Sequence, residues 1–251
     1  MKSKKSIVDK RREDILNYLI NEETLTNKEL SEKFNVSEIT IRRDLDFLQS
    51  TGKLQRFHGG ARINQNIDAT NLILEEKKDR IAKKCAEFIA DNDDIFINSS
   101  STALKVIKYI KNKRVNIITN NAKAPYIEID PLVNIILTGG NVSHPKNAMT
   151  GTFAINNLKT VASNISIVGI SGITTEGDLT TSVLDEVEIN KYMLSESTEK
   201  NILVCDSSKF QKSANFKIDT IDHIDIVITD SEINRTVLET IEKKGIKVIL
   251  V

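Results

Sequence analysis

The chain reads Ser37-Glu38-Ile39-Thr40-Ile41-Arg42-Arg43-Asp44-Leu45 near the centre of its first sixty residues, and this stretch decides the fold of that region. Ser37 can cap a helix, and Val36 stands where a hydrophobic staple to Ile41 would form. Three apolar residues at i, i+4 and i+7 predict the buried face of this helix: Ile41, Leu45 and Leu48. Three polar residues are left facing outward: Thr40, Arg42 and Arg43.

The residues before this helix predict two more helices. Ile15 and Leu19 place an apolar stripe on the first one. Thr26 and Glu29 form a capping box at the start of the second, in which Leu30 faces inward. The region therefore consists of three short helices, of which the third presents two arginines.

A hairpin is predicted directly after the third helix. Gly52 stops the helix, and residues 54–58 can pair with residues 61–63 across Gly59-Gly60. Three basic side chains would then cluster near the tip: Arg56, His58 and Arg62. A capped helix beside a basic hairpin indicates a region that reads DNA.

The exposed arginines suit that chemistry, because a guanidinium on a helix in the major groove can donate two hydrogen bonds to guanine. Arg43 and Arg42 are the candidates for this contact, and Thr40 could touch a base edge or a thymine methyl group. The alternative is that both arginines form surface salt bridges with Asp44 or Asp46, which contribute at most about 1 kcal/mol each.

Two acidic residues of the same helix, Asp44 and Glu38, could do something other than pair with these arginines. Asp44 is expected to orient an arginine such as Arg11, since a carboxylate facing phosphate would be repelled. Glu38 could accept a hydrogen bond from a cytosine amine or stay solvated in the first turn of the helix.

Residues 11–61 resemble the head of the DeoR family of bacterial repressors. That head carries an arginine, two spaced aliphatic residues, a Ser-x-x-Thr-Ile-Arg-Arg-Asp-Leu helix and a trailing Gly-x-Leu-x-Arg-x-His-Gly-Gly-Ala, and all of these are present. The resemblance implies a winged helix-turn-helix domain over residues 1–63 that binds double-stranded operator DNA. It carries DNA contact onto six residues: Ser37, Thr40, Arg42, Arg43, Arg56 and His58.

The composition of the chain indicates how many domains it forms and in which cellular compartment it acts. At 251 residues and 39% hydrophobic, the chain can bury one substantial core and a small second one, so two domains are expected. Residues 1–64 contain 13 Lys and Arg against 10 Asp and Glu, an excess too small to attract DNA by itself.

Cys85 and Cys205 lie alone in apolar runs, which favours buried reduced thiols. No apolar run approaches the roughly 18 residues of a membrane span. We expect a soluble, cytoplasmic protein that associates with the nucleoid when bound to its operator.

The rest of the chain predicts a polar connector at 64–78 and an α/β domain at 79–251. Apolar runs separated by helical stretches predict a mostly parallel, Rossmann-like sheet, at 95–97, 115–118, 133–137, 165–170, 202–204, 224–228 and 247–250. Hydroxyl, amide or glycine residues follow nearly every run. Because ligands bind beyond the carboxyl ends of parallel strands, these residues predict one shared pocket.

The loop Asn98-Ser99-Ser100-Ser101-Thr102 is the main candidate for binding an anion. It lies between a strand and a predicted helix, where free backbone N–H groups and hydroxyls favour phosphate. The alternative is that one hydroxyl merely caps the helix. Neither the P-loop spacing nor the GxGxxG pattern is present, which argues against nucleoside triphosphate and nicotinamide cofactors.

Three charged residues further along have two interpretations each. Lys209 could hold a phosphate or a sugar hydroxyl, or it could stay solvated. Asp185 and Glu186 could act as an acid and base pair, but Ser182-x-x-Asp185 is also a capping box, and we favour capping or binding of a ligand hydroxyl over catalysis. The three histidines lack metal-ligand spacing, so no metal is expected.

This half of the chain also resembles the DeoR effector domain, whose fold is similar to ribose-phosphate isomerase and glucosamine-phosphate deaminase enzymes. The resemblance implies a repressor of a sugar uptake or catabolism operon, controlled by a phosphorylated sugar, without a further cofactor. It also implies a homo-dimer or homo-tetramer formed by the sensor domain. Effector binding is carried onto twelve residues: Asn98, Ser99, Ser100, Ser101, Thr102, Asn120, Gly139, Gly140, Gly172, Asp185, Glu186 and Lys209. Family members often carry glycine and threonine in the first loop, where this chain has serines at 99–101.

Two other classes of function stay open. An isomerase-like enzyme with a DNA-binding head would need a poised base and acid, and only Asp185, Glu186 and Lys209 are available for those roles. A DNA-binding protein with a purely structural oligomerisation domain would not respond to any sugar phosphate.

Overall fold

The computed structural model describes residues 8, 11–12, 14–16, 18–19, 22, 24–50, 54–57, 59–63, 69–144 and 146–251. The chain divides into two compact units, Met1–Glu75 and Glu76–Val251, and the division falls inside the connector predicted at 64–78. Each unit buries its own cluster of apolar side chains, as expected of separate domains.

The N-terminal unit combines helices with a small sheet. The described residues within 8–22 are helical. They are followed by β1 (Thr24–Thr26), α1 (Asn27–Phe34), α2 (Glu38–Ser50), β2 (Leu54–Phe57) and β3 (Gly60–Ile63). The predicted capping box forms, because Thr26 N–H donates to Glu29 Oε2 at 2.7 Å and Glu29 N–H donates to Thr26 Oγ1 at 3.2 Å. The predicted inward residues meet in one core, which includes Ile15, Leu19, Leu30, Ile41, Leu45 and Leu48.

The predicted hairpin forms, and a third strand that the sequence did not indicate joins it. β3 pairs antiparallel with β2 on one side and with β1 on the other. Arg56 lies opposite Ala61, and Arg62 lies opposite Gln55. Because successive side chains alternate between faces, Arg56 and Arg62 point to opposite sides of the hairpin, so the prediction that they cluster is wrong. His58 lies outside the described residues.

The C-terminal unit is built on a seven-stranded sheet in which every neighbouring pair is parallel. All seven predicted runs supply a strand: β4 (Asp94–Ile97), β5 (Val115–Thr119), β6 (Val133–Leu137), β9 (Ser163–Val168), β12 (Ser197–Val204), β14 (Ile226–Thr229) and β15 (Lys247–Leu250). The helices are α3 (Ala69–Cys85), α4 (Ser101–Tyr109), α5 (Thr152–Leu158), α6 (Val187–Ser195) and α7 (Arg235–Lys243).

The sheet is hydrophobic on both faces, as parallel strands covered by helices require. Ile95 and Ile97 belong to one core cluster, whereas Phe96 between them belongs to another. Cys85 and Cys205 are buried free thiols, as predicted, and burial raises the pKa of both. No helix in the described parts of the chain is long and apolar enough to cross a membrane.

Two short antiparallel additions were not predicted. One is the pair β7 (Asn141–Ser143) and β8 (Ala148–Thr150), and the other consists of β10 (Gly172–Ile173), β11 (Asp178–Thr181) and β13 (Phe216–Thr220). Their strands are two to five residues long and partly polar, so they lack the apolar runs that reveal the main sheet.

The strand order β15-β14-β12-β9-β4-β5-β6 locates a topological switch point. The chain adds β5 and β6 on one side of β4, and then crosses to add β9 on the other side. The loops that follow β4 and β9 therefore diverge to opposite faces of the sheet and leave a crevice between them, which is where open α/β sheets bind ligands.

Candidate functional site

The outward face of α2 carries two exposed arginines in different electrostatic settings. Arg42 Nη2 lies 3.7 Å from Glu38 Oε2, one turn earlier on the helix. Arg43 is exposed and forms no ion pair with any residue that the structure describes. A guanidinium without a competing carboxylate keeps its N–H groups for an external acceptor. Arg43 is therefore better placed than Arg42 to contact a base.

The start of α2 is held by Ser37, as predicted. Thr40 N–H donates to Ser37 Oγ at 3.3 Å, and the two hydroxyl oxygens lie 3.0 Å apart. This contact orients both hydroxyls within the first turn of the helix. DNA contact by Ser37 or Thr40 stays a prediction.

Asp44 is buried inside the N-terminal unit, with 1% of its surface exposed. Its two carboxylate oxygens accept hydrogen bonds from Arg11 Nε at 2.7 Å and from Arg12 Nε at 2.9 Å. The predicted pairing with Arg11 is confirmed, and Arg12, which also lies 3.8 Å from the centre of the Phe47 ring, is an additional partner. Asp44 therefore anchors α2 to the N-terminal helical segment and does not reach a DNA ligand.

The hairpin arginines are engaged within the unit. Arg56 Nη1 donates to Asp46 Oδ1, and Arg62 donates to Gln55 Oε1 from Nε at 3.1 Å and from Nη2 at 2.8 Å. The alternative in which Asp46 neutralises Arg42 or Arg43 is therefore not what the structure contains. For Arg56 to contact phosphate, it must exchange or share its bond to Asp46.

A pocket of about 310 Å³ opens at the switch point of the C-terminal unit. The loop after β4 forms one wall and residues 169–171 after β9 form another. Seven of the twelve predicted effector residues line this pocket: Asn98, Ser99, Ser100, Ser101, Thr102, Glu186 and Lys209.

The two walls are joined by Asn98, which is 1% exposed. Its Nδ2 donates to Gly169 O at 2.8 Å, and its Oδ1 accepts from Gly169 N–H at 3.0 Å. Ser100 caps α4 by accepting from Thr102 N–H at 3.2 Å. A Cβ at position 169 would lie 2.0 Å from Ser100 Oγ, so only glycine allows the two loops to approach this closely.

Glu186 forms the polar floor of the pocket and is 2% exposed. Its Oε1 accepts from Ser99 Oγ at 2.8 Å, and its Oε2 accepts from Thr181 Oγ1 at 2.8 Å and from Lys146 Nζ at 2.7 Å. An ionised carboxylate has about four acceptor positions, so these three hydrogen bonds leave one for a ligand. This arrangement suits the recognition of a hydroxyl group.

The pocket is positively charged. Four lysines line it, against the single carboxylate of Glu186: Lys78, Lys123, Lys146 and Lys209. The hydroxyls of residues 99–102 stand at the start of α4, where the helix dipole also favours an anion. Charge and hydrogen-bond donors together make the pocket suitable for a phosphate group.

The turn that carries Lys209 is held from below by Asp230. Ser207 N–H donates to Asp230 Oδ2 at 2.7 Å, and Lys77 Nζ of α3 lies 3.2 Å from Asp230 Oδ1. Burial acts to raise the pKa of Asp230, but the hydrogen bonds from Ser207, Glu232 and Lys77 outweigh it and hold the pKa below its ordinary value. Lys209 Nζ is 3.9 Å from Asp206 Oδ2, which leaves it available to a ligand at the pocket surface.

Three predicted effector residues lie away from this pocket because they serve the packing of neighbouring strands. Asn120 is fully buried, and its Nδ2 donates to Met149 O at 3.2 Å. Gly139 and Gly140 follow β6, the edge strand, which lies two strands from β4 in the sheet, and neither lines the pocket. A Cβ on Gly140 would lie 2.5 Å from Thr150 O, so this glycine is needed for close packing.

Two further predicted residues are also outside the pocket. A Cβ on Gly172 would lie 2.5 Å from Lys212 O, so Gly172 allows two segments of the small sheet region to pack. Asp185 is exposed, and neither its turn at Leu184–Glu186 nor α6 has a side-chain cap, so the predicted capping box with Ser182 does not form.

Several residues that line the pocket carry no signal in the sequence. Lys146 lies in the β7–β8 connection, Lys123 follows β5, and Lys78 belongs to α3. None of these lysines belongs to a strand-end motif, so their sequence neighbours predict only that they are exposed on the surface. Gly169 directly follows β9 and could have been noticed as a glycine at a strand end.

Comparison with known proteins agrees with this two-part organisation. Residues 11–66 match the DeoR-like helix-turn-helix domain, and residues 74–231 match the DeoR C terminal sensor domain. The match to the sensor domain alone covers more than half of the chain.

Relatives match over nearly the full length. The lactose phosphotransferase system repressor of Lactococcus lactis is 33% identical over 92% of this chain and 94% of its own length. The HTH-type transcriptional regulator GolR of Listeria innocua is 30% identical over 95% of this chain and 96% of its own. The glycerol-3-phosphate regulon repressor of Escherichia coli is 31% identical over 82% of this chain and 84% of its own.

Among solved structures, ribose 5 phosphate isomerase A from Neisseria gonorrhoeae superposes with a TM-score of 0.40 at 19% identity, over 56% of this chain and 55% of that chain. The matched relatives are regulators, which confirms the prediction of a regulator over an isomerase-like enzyme. The chain belongs to the DeoR family, and it is a transcriptional regulator with an N-terminal DNA-binding domain and a C-terminal sensor domain.

Proposed function

We propose that this regulator represses a sugar uptake or catabolism operon and that a phosphorylated sugar in the switch-point pocket controls its affinity for the operator. The observation that carries the proposal is the pairing of four lysines and a hydroxyl-rich helix start with one buried carboxylate. A phosphate would meet the lysines and the residue 99–102 loop. A sugar hydroxyl would meet Glu186. The names of the Lactococcus and Escherichia relatives support a sugar or a related phosphorylated metabolite.

On the DNA side, α2 enters the major groove and Arg43 contacts a base, with Arg42, Ser37 and Thr40 nearby. The hairpin with Arg56 and His58 contacts the backbone. Two or more heads bind spaced half-sites, so the protein acts as a homo-dimer or homo-tetramer. It acts in the cytoplasm and joins the nucleoid when bound to its operator. No cofactor beyond the effector is proposed.

Coupling between the two activities requires little energy. A tenfold change in operator affinity corresponds to about 1.4 kcal/mol. The contacts of α3 provide a route within the C-terminal unit, since Lys77 holds Asp230 under the Lys209 turn while Lys78 lines the pocket. A ligand that draws Lys78 and Lys209 together would also bias the position of this helix.

Thermal unfolding against a panel of sugar phosphates tests the proposal, with each phosphorylated sugar paired with its unphosphorylated form. A ligand at one hundred times its Kd stabilises the native state by about 2.7 kcal/mol. We expect one sugar phosphate to raise the Tm while its parent sugar has no effect. No shift with any member of the panel would contradict the proposal and favour a structural sensor domain.

Two lysine variants test whether the Tm shift arises from binding in this pocket. Lys209→Ala should reduce the Tm shift at a given effector concentration without changing operator affinity in the absence of effector. Lys212→Ala is the matched control, because Lys212 is exposed, lies three residues further along the chain and does not line the pocket. An equal reduction in both variants would mean that the pocket has been assigned wrongly.

A further inference from the structure

The strand β6 forms one end of the seven-stranded sheet and exposes apolar side chains there. β6 pairs with β5 on one side and has no strand on the other among the described residues. Ile136 and Leu137 of β6 are 39% and 40% exposed. A strand edge of this kind presents backbone N–H and C=O groups that can pair with another strand.

Two more exposed apolar residues adjoin this edge. β7 begins four residues after β6 ends, and its central residue Val142 is 49% exposed. Phe153 in the first turn of α5 is 77% exposed. The connection between β6 and β7 lies against that turn, since a Cβ on Gly140 would be 3.1 Å from Ala154 Cβ. We call β6, Val142 and Phe153 together the β6 edge surface.

The β6 edge lacks the features that usually protect an exposed strand. Residues 131–143 contain no Asp, Glu, Lys or Arg, whereas a chain with 28% charged residues would place about four in such a stretch. The opposite edge strand β15 begins with Lys247 and follows Lys243 and Lys244 closely. Charge therefore protects one end of the sheet and is missing from the other.

The charge pattern indicates what covers the β6 edge surface. A charged partner such as DNA or an acidic peptide would find no complementary charge there. A second copy of this chain brings the same uncharged strand, so two copies meet without like-charge repulsion. A two-fold axis would set the two strands antiparallel, in the geometry that lets each satisfy the other's backbone groups.

We propose that the β6 edge surface is a self-association interface in which β6 pairs with β6 of a second copy. The proposal rests on the proposed function in one respect, because binding of two half-sites needs two heads. The interface lies at the end of the sheet, and no residue of the β6 edge surface lines the effector pocket at the switch point.

Analytical ultracentrifugation of the full chain tests the interface. The wild-type mass should be an even multiple of the 28.1 kDa chain. Ile136→Lys, which places a charge on the edge, should halve that mass. Leu250→Lys is the matched control, because Leu250 lies on the opposite edge strand, is 45% exposed, and its replacement should leave the mass unchanged.

A second variant keeps the test valid should Ile136→Lys fail to fold. Phe153→Asp changes a side chain that is 77% exposed, and it should raise the dissociation constant at least tenfold. A wild-type protein with the mass of one chain, or an unchanged mass in both variants, would overturn the proposal. Dissociated Ile136→Lys should retain the Tm shift with the effector found in the panel, so failure of the interface and failure of effector binding are distinguishable.

Discussion

Replacing Asp44 by alanine tests how the head holds its DNA-reading helix. Asp44 is 1% exposed and accepts from both Arg11 and Arg12, so the change removes the carboxylate that these two guanidinium groups share. Removing one partner of a buried ion pair costs about 3–5 kcal/mol. The two arginine side chains are 15% and 21% exposed and can turn toward water, so we expect the lower end, about 3 kcal/mol.

Hydrogen exchange of the α2 backbone amides, followed by mass spectrometry on the full chain, measures this loss. About 3 kcal/mol corresponds to roughly hundredfold faster exchange when exchange reports the population of the open form. Asp46→Ala is the matched control, since Asp46 lies on the same helix and pairs with Arg56, but its side chain is 62% exposed. An exposed pair contributes at most about 1 kcal/mol, so the control should accelerate exchange by less than about tenfold.

Two results would refute this reasoning. Unchanged exchange in Asp44→Ala would show that the arginine contacts do not hold α2. Equal acceleration in Asp44→Ala and Asp46→Ala would show that burial does not decide the strength of these ion pairs.

Four further outcomes are expected. Arg43→Ala should weaken operator binding about 5- to 150-fold and affect random DNA much less in fluorescence anisotropy, and equal losses would remove its role in base reading. Gly169→Ala should lower the free energy of unfolding by about 1–3 kcal/mol in urea titrations, because the new methyl group overlaps the α4 cap. The pKa of Asp230 is lowered in the folded state, so its stabilisation is present above its ordinary pKa of 3.8 and is lost as the pH falls through the folded value. Asp230→Asn should therefore show a smaller loss of stability between pH 7 and pH 3 than the wild type. Cys85 and Cys205 should react with a thiol reagent only as fast as the protein unfolds, because both are buried and their pKa values are raised; rapid reaction of the native protein would contradict this.

The parts of the fold that the sequence predicted are those with strong local signals. The capping box at Thr26 and the cap at Ser37 depend on residues three apart, which a sequence displays directly. The inner strands of the parallel sheet, such as β4 and β9, are short apolar runs because they are buried on both faces. The strand β1 gave no such signal, since its three residues become a strand only by pairing with β3.

The part of the candidate site that directly follows a strand in the sequence was predictable. The loop after β4 could be identified from its consecutive hydroxyl residues, and it lines the pocket. The loops after β5 and β6 have similar polar residues, yet Asn120 and Gly140 are used for packing, and Lys123 is the residue of the β5 loop that lines the pocket. The order of the strands in the sheet decides which strand ends share a crevice, and no single segment of the sequence reveals that order.

The lysines of the pocket also could not be predicted from the sequence. Lys146 reaches Glu186 from a connection between two short strands, forty positions earlier in the chain. A lysine in a polar loop looks solvated from its neighbours in sequence, because only the fold reveals the carboxylate that it meets.

The sequence by itself determined the two-domain organisation, the family, the DNA-reading helix and the hydroxyl loop of the pocket, because each depends on residues within a few turns or one strand of one another. The tertiary structure alone decided that Arg12 joins Arg11 on Asp44, that Arg56 and Arg62 face apart, and that four lysines line the same pocket as one buried carboxylate. The physical reason is that electrostatic and packing interactions depend on distance in space, and folding brings together side chains that lie tens of residues apart along the chain.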